Sequence, residues 1–240
     1  MCEKCQTTPD PSRRVFMKAL GAGLAISALV PLTGIAEPPK PENVISSTQA
    51  LERLMVGNDR YVNNKSRVFN FNETRAALTK GQNPFACILS CADSRIGPEL
   101  CFDTERGDLF VTRVAGNYVS TPLLASLEYG TEVLKAPLIL VLGHTNCGAI
   151  KAAISAVNEG TGFPGHIQCL TSDLIPAVRS AMKKNPSDLE LASIRENVSQ
   201  NMEKLRESAP ILSKRVEQGS LKIVGGIYHL HTGRVELIET

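Results

Sequence analysis

Short uninterrupted apolar runs alternate with longer amphipathic segments along most of this chain. The clearest runs are residues 85–90 and 138–143, of which the second is rich in leucine, isoleucine and valine. Continuous apolar runs of this length are typical of strands that are buried on both faces of a parallel sheet. We therefore predict an α/β fold in which helices flank a mostly parallel β-sheet.

The remaining segments fit this architecture. Ser46 and Gln49 form the pattern of a capping box, which predicts a helix that runs to about Asn63. Thr121 followed by Pro122 predicts the start of a second helix. Further patterns predict strands at 109–115, 221–228 and 233–238, and helical regions at 148–159, 167–184 and 187–217.

A residue of a type that commonly binds metal ions directly follows each of the two clearest predicted strands. Cys91 follows the first run, His144 follows the second, and Cys147 lies just before the next predicted helix. Because the carboxyl ends of parallel strands meet at one edge of a sheet, neighbouring strands would bring these side chains together. Two thiolates and one imidazole leave the fourth position of a zinc ion open, which is typical of catalytic rather than structural zinc.

Several sequence blocks resemble the β-class carbonic anhydrases. They occur in the family's order, at 91–95, 107–111, 113–117 and 143–148, with a weaker match at 228–233. The resemblance extends over about residues 46–238, and it implies the fold of that family and reversible hydration of carbon dioxide to bicarbonate and a proton. It also implies one Zn²⁺ per subunit, bound by Cys91, His144 and Cys147, and a catalytic dyad of Asp93 and Arg95.

The residues of the implied dyad suit this chemistry. Zinc lowers the pKa of a bound water from about 15.7 toward 7. An ionised Asp93 is able to accept a hydrogen bond from zinc-bound hydroxide and so orient it toward carbon dioxide. Arg95, two residues away, is placed to hold that carboxylate through two hydrogen bonds and to keep it off the metal.

The resemblance also assigns a substrate pocket. Gln82, Phe110 and Tyr129 match the pocket residues of the plant-type subclass. Gly148, which follows the second thiolate, is also assigned to substrate binding. This subclass implies an open site without bicarbonate inhibition. Some of its pocket residues come from the neighbouring subunit, so we expect a homodimer or a dimer-based oligomer.

The amino terminus resembles a twin-arginine export signal. Arg13, Arg14, Phe16 and Lys18 precede an uncharged apolar stretch at 19–36. We predict a signal peptide at 1–36, a proline-rich linker at 37–45 and the carbonic anhydrase domain at 46–240. The favoured interpretation is cleavage and export to a periplasm; a thylakoid lumen and an uncleaved membrane anchor are the alternatives.

Charge is balanced outside this leader. Of the 26 basic and 24 acidic residues of the chain, residues 1–36 hold four and two, which leaves 22 of each. A neutral domain lacks the basic patch that nucleic acids require, and we expect membrane contact only through the leader during export.

Other functions and other reactive residues fit parts of the pattern. A hydrolase acting on carbonyl sulfide or carbon disulfide would use the same zinc hydroxide. A catalytically silent zinc protein would not need the dyad, and a redox thiol protein would not explain the histidine ligand. We expect Cys87 in the core, and the sequence does not decide whether Cys101 and Cys169 form a disulfide. The candidates for a proton carrier are His166, His229 and His231.

Overall fold

A five-stranded sheet forms the centre of the protein, of which a computed structural model describes residues 45–238. The strands are β1 (Ala86–Ser90), β2 (Leu109–Arg113), β3 (Leu138–His144), β4 (Lys222–Tyr228) and β5 (Val235–Ile238). They lie in the order β2-β1-β3-β4-β5, and the neighbouring pairs are parallel except for β4 and β5. The predicted α/β fold with a mostly parallel sheet is confirmed.

Helices connect the strands and cover the sheet. They are α1 (Ser47–Val62), α2 (Phe71–Leu78), α3 (Pro98–Cys101), α4 (Thr121–Glu128), α5 (Gly148–Glu159), α6 (Ile167–Lys183), α7 (Leu189–Arg206) and α8 (Leu212–Glu217). A π-helical segment, Tyr129–Val133, continues α4. The predicted capping box is present at the start of α1, where Ser46 and Gln49 each bond the other's backbone N–H.

The two central strands are buried on both faces. Successive residues of a strand point to opposite sides of the sheet. In β3, Leu140 belongs to a core cluster that includes Ala50 and Leu54 of α1. Its neighbour Val141 belongs to a second cluster that includes Val198 of α7. Coverage by helices on both sides explains why the sequence shows continuous rather than alternating apolar residues here.

Helix α7 lies unusually close to the carboxyl end of β3. A Cβ atom on Gly143 would be 2.8 Å from a methyl carbon of Val198 and 3.1 Å from one of Ile194. Real Cβ atoms do not approach so closely, so only glycine allows this packing. The close approach fixes α7 next to His144, the last residue of the strand.

The prediction that 187–217 is predominantly helical is confirmed, with a break in its middle. Helix α7 ends at Arg206 and α8 begins at Leu212, with Pro210 between them. Proline has no N–H for the helical hydrogen bond, so the helix stops before it. Two short helices, α2 and α3, were not predicted, and α2 buries none of its eight residues.

No helix of the described range is both long and apolar enough to cross a membrane. The predicted leader at 1–36 lies outside the described residues, and so does the predicted linker at 37–45 except for Ile45.

Candidate active site

Cys91, His144 and Cys147 come together at the carboxyl edge of the sheet. Because β1 and β3 are parallel neighbours, Cys91, one residue past β1, and His144, the last residue of β3, reach the same edge. Cys147 is the N-cap residue of α5, three residues further on. Their ligand atoms all lie within 4.8 Å of one another, and the three residues are buried. The structure thus joins the three residues that the sequence predicts as metal ligands.

The imidazole of His144 is arranged as a metal ligand. Its Nδ1 lies 2.9 Å from the carbonyl oxygen of Thr145, which places the ring proton on Nδ1. Nε2 therefore carries the lone pair, and it is buried without a hydrogen-bond partner. An unpartnered buried nitrogen costs free energy, which a bound cation would offset. This nitrogen beside two sulfur atoms is a donor set that zinc accepts.

Backbone donors surround both sulfur atoms. The S–H of Cys147 and the N–H of Gly116 hold the pKa of the Cys91 thiol at about 4, against the opposing effect of burial. The proton shared with Cys91 raises the pKa of Cys147, although the N–H groups of Ala149 and Ile150 act in the opposite direction. Such donors stabilise the thiolate form that metal coordination requires.

Asp93 and Arg95 form the bidentate pair that the sequence predicts. Arg95 Nε lies 2.9 Å from Asp93 Oδ1, and Arg95 Nη2 lies 2.7 Å from Asp93 Oδ2. The same Nη2 donates to the carbonyl oxygen of Asn146 at 3.0 Å, which ties the pair to the loop before Cys147. These hydrogen bonds hold the pKa of the Asp93 carboxyl well below its usual range. The carboxylate is therefore ionised at neutral pH.

Arg113 holds the loop that carries the first thiolate and the dyad. At the end of β2, its guanidinium donates to the carbonyl oxygens of Cys91, Asp93 and Ile96 at 2.9, 2.7 and 2.8 Å. Sequence reasoning assigned no role to this residue. Its position follows from the strand register, which the structure provides: Arg113 lies opposite Ser90, directly before Cys91.

Proteins named carbonic anhydrase align with most of this chain. The family model described as carbonic anhydrase matches residues 86–235. Carbonic anhydrase 2 of Mycobacterium tuberculosis is 38% identical over 189 residues, which cover 78% of this chain and 91% of that protein. The carbonic anhydrase of Mycolicibacterium smegmatis is 39% identical over 168 residues, 69% of this chain and 80% of its own.

Solved structures show the same likeness. The β-carbonic anhydrase CcaA superposes with a TM-score of 0.62 at 26% identity, covering 79% of this chain and 95% of that one. A Coccomyxa β-carbonic anhydrase, solved with acetazolamide, gives 0.60 at 28% identity, covering 80% and 82%. The chain belongs to the β-class carbonic anhydrases. It is accordingly an enzyme, and its cysteine–histidine cluster could hold a metal ion.

The predicted pocket residues of this carbonic anhydrase lie in two places. Gly148 begins α5 directly after Cys147, beside the ligand cluster. Phe110, in contrast, pairs in register with a residue four positions before Cys91, about 13 Å along the strand. Tyr129, half exposed, lies against it with 6.1 Å between ring centroids, and Gln82 is exposed in the segment before β1. Within one subunit these three residues are therefore remote from the metal ligands.

Within residues 45–238, the other thiols and histidines of the carbonic anhydrase show no hydrogen bond to the cluster. Cys87 is buried as expected, and burial raises its pKa to about 12. Cys101 is buried, Cys169 is exposed, and neither forms a disulfide. His229 Nε2 lies 3.0 Å from Glu236 Oε2. The remaining candidates for a proton carrier, His166 and His231, are exposed to solvent.

Proposed function

We propose that this carbonic anhydrase catalyses the reversible hydration of carbon dioxide with one zinc ion per subunit, held by Cys91, His144 and Cys147. The observation that carries the proposal is the convergence of their three ligand atoms within 4.8 Å of one another, next to a carboxylate that an arginine holds in place. When bound, zinc supplies a Lewis acid that lowers the pKa of a coordinated water toward neutrality. The shared name of the aligned relatives supports the reaction.

Asp93 orients the attacking oxygen in this mechanism. Because Arg95 keeps its pKa low, the carboxylate is a poor base and a good hydrogen-bond acceptor. It accepts a hydrogen bond from the nucleophile, which leaves an oxygen lone pair directed at the carbon of carbon dioxide. The proton released in hydration does not stay on Asp93; it passes to solvent, to which the side chains of Asp93 and Arg95 are 17% and 46% exposed.

The proposal includes a dimer in which each subunit completes the site of the other. Phe110 and Tyr129 form an aromatic pair far from their own ligand cluster, and Tyr129 is 47% exposed. An apolar wall that binds uncharged carbon dioxide has to adjoin the metal ligands, so this pair would serve the partner's site. Gln82 would donate its amide N–H to a bicarbonate oxygen there. We place the enzyme in the plant-type subclass on this basis, with an open site that bicarbonate does not inhibit.

We also propose that residues 1–36 direct export by the twin-arginine route to a periplasm and are then removed. The support is the Arg13–Arg14 pair before the apolar stretch. Amino-terminal sequencing of the exported protein locates the cleavage site. Replacing both arginines by lysine should retain the full-length chain in the cytoplasm, and unchanged export would refute this route.

Metal removal and restoration test the reaction. Carbon dioxide hydration by the purified enzyme is followed by stopped flow before chelation, after chelation and after addition of Zn²⁺, with zinc measured on each sample. We expect the rate to follow zinc content, to be inhibited by acetazolamide and to be unaffected by added bicarbonate. Rapid hydration without zinc would refute the metal assignment; zinc binding without hydration would direct the search to carbonyl sulfide.

A further inference from the structure

A chain of buried amides connects helix α7 to the sulfur of Cys91. Asn201 Nδ2 donates to Asn197 Oδ1 at 3.0 Å and to the Asn197 carbonyl oxygen at 2.7 Å. Asn197 Nδ2 donates to the carbonyl oxygen of Gly116 at 2.8 Å. Gly116 N, in turn, lies 3.3 Å from Cys91 Sγ. Asn197 is 2% exposed and Asn201 is 7% exposed, so this chain runs through the interior.

The network determines which way the Asn197 amide points. Its Oδ1 accepts from Asn201, so its Nδ2 has to face Gly116. Asn201 is held in the same way, because its own Oδ1 accepts the backbone N–H of Val119 at 2.6 Å. Each amide in the chain therefore has one orientation that satisfies its partners. A buried polar network of this kind fixes the groups at its end.

The network ends at Gly116, in a turn that the N–H of Asn117 closes by donating to the carbonyl oxygen of Val114 at 2.9 Å. Gly116 has a φ of +83°, and a Cβ atom there would lie 2.7 Å from a methyl carbon of Leu174, so no other residue fits. Glycine has wide backbone freedom, which lets the peptide units on either side of its Cα rotate. The hydrogen bond from Asn197 holds the peptide that follows Gly116. Together with the turn hydrogen bond of Asn117, it limits how far the Gly116 N–H can rotate away from the sulfur.

We propose that Asn197 is a positioning residue of the metal centre: by holding the Gly116 carbonyl, it directs the Gly116 N–H at Cys91 Sγ and sets how much charge this sulfur donates to the bound ion. The proposal rests on the assignment of Cys91 as a metal ligand. Hydrogen bonds to ligating atoms tune a metal site and contribute to its affinity. The side chain of Asn197 bonds the carbonyl oxygen of Gly116 and not a ligand sulfur or nitrogen, so we place its effect on the metal centre at this glycine.

Cobalt substitution tests this role. Co²⁺ bound to thiolate gives charge-transfer absorption whose energy reports the charge on sulfur. The test variant is Asn197→Leu, with Asn197→Ser as a smaller polar alternative in case the first fails to fold. Asn58→Leu is the matched control, because Asn58 is a buried amide that donates to the carbonyl oxygens of Cys101 and Gly233 at 2.9 and 2.8 Å, outside the metal centre.

We expect the Asn197 variants to shift the charge-transfer band to longer wavelength and to weaken metal affinity about tenfold in chelator competition, the lower end of what outer partners of ligands contribute. Asn58→Leu should lose stability but keep the wild-type band. An unchanged band in a folded Asn197 variant, or an equal shift in the control, would overturn the positioning role. Absence of thiolate absorption from the wild-type cobalt protein would instead refute the ligand assignment itself.

Discussion

Asp93 Oδ2 lies 3.9 Å from His144 Nε2, while Arg95 bonds both oxygens of the same carboxylate. The carboxylate is thus close enough to reach a metal on that nitrogen if the arginine released it. In the proposed mechanism, Arg95 would therefore determine whether Asp93 orients the nucleophile or occupies the open position of the ion. The same pair accounts for the low pKa of Asp93 and for the proposed open state of the enzyme.

Replacing Arg95 by lysine should close the site. A lysine has no planar fork, so it cannot hold both oxygens of Asp93, and the freed carboxylate would turn toward the metal. We expect carbon dioxide hydration to fall about 100-fold, the effect of a misplaced catalytic group, with zinc content unchanged. Stopped-flow rates and zinc analysis measure the two quantities. Arg195→Lys, in an exposed pair with Glu236, is the control, and equal rates for both variants would contradict the account.

Arg113→Lys should loosen the loop that carries the first thiolate. The guanidinium bonds three carbonyl oxygens of this loop at once, and an ammonium on a flexible stem cannot reproduce that geometry. We expect faster loss of zinc to a chelator as well as a lower hydration rate, whereas the Arg95 variant should keep its zinc. A variant with wild-type zinc retention would show that the loop holds its shape without Arg113.

Complementation between subunits tests the shared site. Mixed dimers are prepared from one subunit carrying Gln82→Ala and one carrying Asp93→Asn, by co-expression with two different affinity tags. If Gln82 serves the partner, one of the two sites contains both native residues, and activity should reach about half of the wild-type value. If Gln82 serves its own subunit, neither site is complete. Activity no higher than the mean of the two mutant homodimers would then contradict the shared site.

Asp103→Asn should destabilise the protein in a pH-dependent way. The Asp103 side chain is 2% exposed and is bonded by Arg60 and Arg67. Burial raises its pKa, but the two arginines outweigh that effect and lower it overall. At pH 7 we expect a loss of about 2 kcal/mol, less than for a fully buried pair because Arg67 is half exposed.

The sign of this pH dependence follows from the lowered pKa. A carboxyl group with a depressed pKa contributes stability above its unfolded value of about 3.9 and loses it as the pH falls through the folded value. The difference between wild type and Asp103→Asn should therefore shrink between pH 4 and pH 3 in urea unfolding. Asp59→Asn, whose side chain is 63% exposed, is the control. A difference that stays constant down to pH 3 would mean that the ion pair does not cause it.

The sequence predicted the parts of this enzyme that depend on strand topology and on side-chain chemistry. Buried parallel strands are recognisable in a sequence as continuous apolar runs. A cysteine or histidine at the end of such a run is a candidate metal ligand. That reasoning located Cys91, His144 and Cys147 at one edge of the sheet, where the structure brings them within bonding distance of one ion.

The residues that the sequence did not reveal act through the backbone. Arg113 and Asn197 donate to carbonyl oxygens, and these partners are 17 to 81 residues away along the chain. Any polar side chain of suitable length fits such a role, so nothing in the local pattern distinguishes them. Helix α2 was missed for a different reason: it is only eight residues long and buries none of them, so its pattern is short.

Hydration of carbon dioxide by Asp93→Asn, measured by stopped flow against wild type at equal zinc content, tests the central claim most directly. The amide side chain keeps the size of the carboxylate but loses the charge that orients the attacking oxygen. We expect the rate to fall about 100-fold or more, with zinc near one per subunit in both proteins. A wild-type rate in the zinc-loaded variant would contradict the proposed role of Asp93.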